Sequence, residues 1–159
     1  MCSGIAILRD KLTDDLILRH DLGRRLHDRS LDKRGRFEAR FMFAERRPLL
    51  PVLHDGQLVI YEWGMKFEKN RKSFRVGYCK EESLQAGSWQ YLQPEPVVIP
   101  ADFGYEKGIW FAIAQGVRGV VVRDDQGQPH VFVLTQPSTH YYEMMTKRDR
   151  EPVLVEQVI

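Results

Sequence analysis

Cys2 carries the least ordinary chemistry in this chain, because removal of Met1 would make it the N-terminal residue. Methionine is normally removed before a small residue, so we expect Cys2 to have both a free α-amine and a thiol. In unperturbed peptides these groups titrate near ~7.7–8.0 and ~8.5, so both are partly nucleophilic at neutral pH. The amine can condense with an aldehyde and the thiol then close a thiazolidine ring, or the thiol can attack an amide with the amine as base. The alternative is a small buried residue without a chemical role.

Two segments of the chain are strongly basic, although the formal net charge of the whole sequence is only +2. Residues 19–47 and residues 66–80 each contain five more basic than acidic side chains. This uneven distribution suits a polyanionic partner, although two solvated surfaces would give the same pattern.

Aromatic residues are interleaved with the basic ones, as in proteins that bind single-stranded nucleic acid. Bases stack on aromatic rings for roughly 1–3 kcal/mol each, and basic side chains neutralise the phosphates. Trp63 is the stacking candidate, whereas Phe41 and Phe43 suit the protein core equally well. The candidate phosphate-binding residues in these segments are Arg40, Arg46, Arg47, Arg71 and Arg75.

The rest of the composition argues against several classes of protein. Hydrophobic residues make up 43% of the 159-residue chain, which is enough for one folded domain. No apolar run is long enough to span a membrane, and no secretory apolar segment follows the start. Cys2 and Cys79 predict free thiols in a reducing cytoplasm, and their spacing from the five histidines predicts no zinc site. We therefore expect a cytoplasmic monomer without a cofactor.

Short apolar segments separated by turn residues predict the elements of the fold. Strands are expected at 3–8, 41–44, 49–53, 58–63, 76–79, 97–99, 109–114, 119–123, 130–135 and 153–158. Helices are expected at 10–27, 81–86 and 138–147, the last with Ser138 as its N-cap, and loops or linkers at 28–40, 66–75 and 93–96. Many short strands with few helices predict an α+β fold: one compact domain over residues 1–159, with a curved, partly barrel-like, mostly antiparallel sheet.

Five segments, in order along the chain, resemble motifs of one protein family. The most specific is 99–106 (Ile-Pro-Ala-Asp-Phe-Gly-Tyr-Glu), which resembles Val-Pro-Ala-Asp-Gly-Phe-Tyr-Glu-Trp. Met-Cys-Ser-Gly at 1–4 resembles Met-Cys-Gly-Arg, and Arg-Asp-Arg-Glu-Pro-Val at 148–153 resembles His-Asp-Arg-Met-Pro-Val. Segments 41–48 and 60–65 resemble the Tyr-Asn-x-Ala-Pro-Thr and Trp-Gly-Leu segments more loosely. Over nearly its whole length the chain therefore resembles the SOS-response-associated peptidase (SRAP) family.

This resemblance implies a sensor of abasic sites in single-stranded DNA, with an associated self-processing peptidase activity. Cys2 would attack the ring-opened sugar aldehyde and form a thiazolidine DNA–protein crosslink. Glu106 matches the family glutamate that assists proton transfer at the N-terminal cysteine, as a carboxylate beside an amine and a thiol can do.

The sequence departs from the family pattern at several places, and the arginine after the family's opening glycine is absent, since Ser3-Gly4 stands there. Arg148 stands where the family has its active-site histidine, and arginine does not shuttle protons near neutral pH, although it can hold a phosphate. His140, eight residues before Arg148, is a less favoured candidate to take the place of that histidine in the folded site. Tyr78 replaces the asparagine of the family's Asn-Ala-Arg-x-Glu segment, and Lys80 replaces its DNA-contacting arginine. Lys80 and Arg148 therefore complete the set of expected DNA-binding residues.

Two other functions remain open on the sequence. The departures favour a catalytically silent member of the fold that only binds single-stranded nucleic acid. The start of the chain also resembles the Met-Cys-Gly-Ile opening of glutaminases, which predicts an N-terminal-nucleophile amidotransferase or hydrolase. That class needs an Asn-Gly oxyanion element, and the sole asparagine of this sequence, Asn70, is followed by arginine.

Overall fold

Two large β-sheets surround the core in the computed structural model, which describes residues 2–28 and 37–155. The strands of the first sheet are β1 (Gly4–Leu8), β2 (Leu26–Asp28), β3 (Phe37–Met42), β10 (Phe103–Glu106) and β11 (Ile109–Ala112). They run antiparallel in the order β11-β10-β1-β3-β2. β1 is placed centrally because its apolar residues, Ile5 and Ile7 among them, are fully buried.

The second sheet closes on itself. Its strands are β4 (Leu49–His54), β5 (Gln57–Trp63), β8 (Tyr78–Lys80), β9 (Glu95–Ile99), β12 (Val117–Arg123), β13 (Pro129–Pro137) and β14 (Arg150–Pro152). The order β12-β9-β4-β5-β13 returns to β12 and forms a five-stranded barrel, with β8 and β14 beside β13. β13 runs parallel to β5 and β8, and the other pairs are antiparallel. The predicted single α+β domain with a partly barrel-like, mostly antiparallel sheet is confirmed.

Residues 66–75 are not the predicted charged loop but a hairpin of β6 (Met65–Lys69) and β7 (Lys72–Val76). Asn70 and Arg71, both at positive φ, form its two-residue turn. Phe67 packs on Phe132 with ring centroids 6.4 Å apart. The many charged residues of this segment conceal the period-two alternation of a strand, in which every second side chain of β6, Met65 and Phe67, packs on the barrel.

Three α-helices occur in the described residues: α1 (Asp14–Arg19), α2 (Glu81–Gln85) and α3 (His140–Thr146). The predicted helix over 10–27 is wrong in extent, because the left-handed backbone of Asp21 (φ 52°) ends the helical course. A 3-10 turn and β2 follow it and bury Leu22. The helix predicted at 81–86 is confirmed, and the N-cap of α3 lies one residue later than predicted, at Thr139 rather than Ser138.

Of the other predicted boundaries, some are confirmed and others are shifted. The hairpin of β4 and β5 is confirmed, with Asp55 and Gly56 at positive φ in its turn. The predicted linker at 93–96 is shorter, since β9 starts at Glu95, and β3 starts inside the predicted loop over 28–40, of which 29–36 lie outside the described residues. Of the predicted final strand, Leu154 forms a bridge to Val117, and 156–158 lie outside the description. Within residues 2–28 and 37–155, no helix is long and apolar enough to cross a bilayer.

Candidate active site

Cys2 lies just before β1 and is fully buried. Its thiol donates a 2.8 Å hydrogen bond to the carbonyl oxygen of Gly4. Burial raises the pKa of the Cys2 thiol to about 11; backbone hydrogen bonds at Tyr105 and Gly4 act against this rise, and the charge of Glu106 adds to it. The thiol is therefore protonated at neutral pH, and the negative charge of the nearby Glu106 carboxylate favours this protonated form.

Glu106 ends β10, where Lys107 and Gly108, both at positive φ, turn the chain into β11. Its residue exposure is only 2%. Oε1 accepts a 3.0 Å hydrogen bond from Nε of Arg148, whereas Oε2 is buried without a hydrogen-bond partner among the described residues. A buried carboxylate oxygen with a free lone pair is placed to accept a proton or a hydrogen bond.

Arg148 covers the Glu106 carboxylate from the end of α3. Lys147 takes a left-handed conformation (φ 60°) as the C-cap and turns the chain out of the helix. The Arg148 amide then donates to Oγ1 of Thr146 at 3.3 Å, and its carbonyl accepts from Oγ of Ser138 at 2.9 Å. With its side chain 43% exposed, Arg148 forms the solvent side of the ion pair with Glu106.

Two tyrosines complete the group. The Tyr78 hydroxyl on β8 donates a 2.7 Å hydrogen bond to the carbonyl oxygen of Cys2. Burial raises the pKa of Tyr78, and the charges of Cys2 and Glu106 raise it further. Tyr142 on α3 has its pKa raised by the same three causes. We call Cys2, Glu106, Arg148, Tyr78 and Tyr142 the cysteine cluster.

Close packing beside the sulfur requires a glycine at position 104. A Cβ there would lie 2.4 Å from Cζ of Phe111 and 3.1 Å from Sγ of Cys2. Phe111 in turn packs edge-on against Tyr142, with ring centroids 5.6 Å apart. Gly104 belongs to the 99–106 segment, so that segment supplies both the carboxylate and the space beside the thiol.

A basic groove of about 1090 Å³ covers the outer face of the first sheet. Its basic lining residues are Arg19, His20, Arg24, Arg25, His27, Arg40 and Arg47, with Asp21 and Glu45 as the acidic ones. Tyr105 and Trp110 form its aromatic wall, with ring centroids 4.9 Å apart, and the Arg40 guanidinium lies over Trp110 at 4.9 Å. Strand alternation points Tyr105 into the groove and Glu106 away from it. Groove and cysteine cluster meet where Met42, a groove residue, pairs with Gly4.

The predicted stacking role of Trp63 is wrong for this structure, because Trp63 is fully buried. Its Nε1 donates to the carbonyl oxygen of Gly77 at 3.0 Å, and its ring packs on Phe43 and Tyr78 at 5.2 and 6.0 Å. Trp63 therefore supports the strand that carries Tyr78. Phe41 is also a fully buried core residue.

Arg75 is likewise held internally rather than free for phosphate. Its guanidinium bonds to the Glu62 carboxylate at 3.1 Å and to the Trp63 carbonyl at 3.1 Å. Its side chain is only 21% exposed, so it links β7 to the barrel.

The other predicted DNA-binding residues lie on several surfaces. Arg40, Arg47 and the exposed Arg46 lie at or near the groove, and Arg148 lies in the cysteine cluster. Arg71 is exposed at the β6–β7 turn, and Lys80 is exposed at the end of β8. The predicted set is therefore not one continuous surface.

Sequence patterns did not predict three residues of the site: Tyr142 in the cysteine cluster, and Tyr105 and Trp110 in the groove. Tyr105, the residue directly before Glu106, pairs across β10 and β11 with Trp110, and the short spacing between these two aromatic residues was the available signal. Tyr142 gave no such signal, because it comes from a distant helix. His140 is the first residue of α3, two residues before Tyr142, and does not belong to the cysteine cluster.

Comparison of the chain with models of protein families, with curated proteins and with solved structures finds no match.

Proposed function

We propose that this protein captures abasic sites in single-stranded DNA by forming a covalent thiazolidine through Cys2. The observation that carries the proposal is the grouping of Cys2, Glu106 and Arg148 in one largely buried cluster, although they are far apart in sequence. These are the residues at which the SRAP-like motifs of the sequence converge.

The raised pKa of the Cys2 thiol determines which group reacts first in the proposed reaction. Because the Cys2 thiol is protonated at neutral pH, the α-amine freed by removal of Met1 is the first nucleophile. It condenses with the sugar aldehyde to give an imine and one water. The sulfur then forms a bond to the imine carbon, and the thiol proton ends on the ring nitrogen. Oε2 of Glu106 is available to relay this proton.

The basic groove would hold the strand on either side of the lesion. Its exposed arginines, Arg24 and Arg47, suit phosphates, and Tyr105 and Trp110 offer aromatic surface for bases. Since groove and cluster meet at the Cys2 end of β1, the abasic sugar would reach the thiol by turning around the N-terminal end of this central strand.

A denaturing gel and intact-mass measurement test this function. Wild-type protein incubated with a single-stranded abasic oligonucleotide should give a shifted band whose mass is protein without Met1 plus oligonucleotide minus one water. Cys2→Ala should give no band, while Cys79→Ala should cross-link as the wild type does. A band that persists in Cys2→Ala, or none with the wild type, contradicts the proposal.

One observation favours a second candidate, a silent single-strand-binding protein. Arg148 holds one oxygen of the Glu106 carboxylate and cannot itself move a proton, while Cys2 is fully buried. Salt-sensitive binding of undamaged single strands without any crosslink would select this candidate. A crosslink that appears only in an Arg148→His variant would identify Arg148 as the cause.

A further inference from the structure

We propose that His54, Asp55 and Glu95 form a binding site for a divalent transition-metal ion, with Zn²⁺ as the expected ion. The site is built at the tip of the β4–β5 hairpin, where β9 begins. It shares no residue with the cysteine cluster or the basic groove and does not depend on the proposed function.

The three side chains already converge on one point. Nε2 of His54 lies 2.7 Å from Oε2 of Glu95 and 3.8 Å from Oδ2 of Asp55. One ligand atom from each residue lies within 4.8 Å of the others. An imidazole nitrogen and carboxylate oxygens bind Zn²⁺ at about 2.0–2.2 Å, so small side-chain shifts bring all three into contact with a shared ion.

The histidine is held in the orientation that a ligand needs. Nδ1 of His54 lies 2.8 Å from the hydroxyl oxygen of Tyr61, and the two rings meet nearly at right angles. The hydroxyl oxygen of Tyr61 can accept the Nδ1 proton. In the tautomer that donates from Nδ1, the Nε2 lone pair faces the carboxylates of Glu95 and Asp55. A cation between them removes the resulting repulsion, and such an outer hydrogen bond is typical of metal-bound histidine.

Access is also suitable. The His54 side chain is only 8% exposed, whereas the side chains of Asp55 and Glu95 are 92% and 50% exposed. The buried imidazole gives the site a fixed base, and the open carboxylate side admits the ion and the water that would complete four-coordination.

A second histidine provides a matched comparison. His130 is equally buried, with Nε2 2.8 Å from Oδ2 of Asp124 and Nδ1 2.8 Å from the Gly64 carbonyl. It has one carboxylate neighbour where His54 has two, and the other oxygen of Asp124 accepts from the amides of Gln126 and Gln128. The His130 pair therefore lacks the third ligand.

The test is a calorimetric titration with Zn²⁺ and, separately, with Mg²⁺. Untagged full-length protein in a Cys2→Ala background avoids binding by a tag or by the N-terminal aminothiol. We expect one Zn²⁺ per chain and much weaker Mg²⁺ binding, because Mg²⁺ prefers oxygen ligands. Asp55→Asn and Glu95→Gln should each weaken Zn²⁺ binding by at least about tenfold, and Asp124→Asn should not change it.

Thermal unfolding supplies a second readout. Zn²⁺ should raise the Tm of the parent and of Asp124→Asn, and should raise that of Asp55→Asn much less, because an ion that binds only the folded chain stabilises it. Asp55 is exposed, so its substitution keeps the fold and the comparison valid even if Glu95→Gln unfolds. The absence of stoichiometric Zn²⁺ binding, or equal affinity in all variants, overturns the proposal and leaves an adventitious ion only.

Discussion

Nε of Arg148 donates a 3.0 Å hydrogen bond to Oε1 of Glu106, so a half-exposed guanidinium covers a carboxylate that is almost completely buried. The two residues are 42 positions apart and are brought together by the β10–β11 turn and the end of α3. This contact joins the two parts of the sequence whose SRAP-like motifs were expected to share a site. It also places Arg148, which stands where the resembled motif has a histidine, directly on Glu106, the expected proton relay.

Arg148→Ala should lower the free energy of unfolding by about 1–3 kcal/mol, because it leaves a buried carboxylate without its donor. The partial exposure of Arg148 keeps the loss below that of a fully buried pair. Urea unfolding of Arg148→Ala, Glu106→Gln and the double variant measures the coupling. Arg19→Ala is the control: its pair with Asp15 is exposed, so its loss should be well under about 1 kcal/mol. Equal losses in the two arginine variants would contradict the role of Arg148.

The buried Cys79 thiol should make stability fall at high pH. Burial raises the pKa of Cys79 to about 12 from 9.0. Above the lower value the unfolded thiol loses its proton while the folded thiol keeps it. The stabilisation present below pH 9 is therefore lost towards pH 12, by up to about 1.4 kcal/mol per pH unit.

Cys79→Val isolates this effect, because it keeps an apolar side chain of similar size and removes the titration. Between pH 9 and 11, the free energy of unfolding should fall less steeply in the variant than in the wild type. Parallel curves would show that the Cys79 pKa is not raised in the folded protein.

The basic groove predicts which arginines control single-strand binding. Arg24→Ala and Arg47→Ala remove exposed cations from the groove, and each should reduce the slope of log affinity against log salt by about 0.7. Fluorescence anisotropy with a labelled single strand at several salt concentrations measures this slope. Arg118→Ala, an exposed arginine on β12 outside the groove, should leave it unchanged. A uniform effect of all three substitutions would argue for non-specific attraction.

Local patterns predicted much of the fold and part of the site. Turn residues and short apolar runs were sufficient for the β4–β5 hairpin, since both signals act within a few residues. They failed at 66–75, where exposed charges masked the packing side of β6, and at 10–27, where the left-handed Asp21 ended a helical pattern. Barrel closure through β12 and β13, and the approach of Tyr142 to Cys2, depend on contacts distant in sequence, and no local pattern encodes them.

Substitutions of Trp63, in the core, and of Trp110, in the groove, should separate effects on stability from effects on binding. Trp63→Phe removes the hydrogen bond to Gly77 and leaves space in the core, so it should cost about 1–3 kcal/mol of unfolding free energy. Trp110→Ala removes one of the two rings of the groove's aromatic wall, so it should weaken single-strand binding by about 1–3 kcal/mol.

Urea unfolding and anisotropy on the same two preparations make the comparison direct. At a temperature where both variants are folded, Trp63→Phe should bind single strands as the wild type does, because its ring never reaches solvent. Trp110→Phe provides the matched control, since it keeps an aromatic face beside Tyr105 and should retain most of the affinity. If Trp63→Phe instead weakens binding while Trp110→Ala does not, strands do not bind in the groove on the first sheet, and the surface around Trp63 must open to receive them.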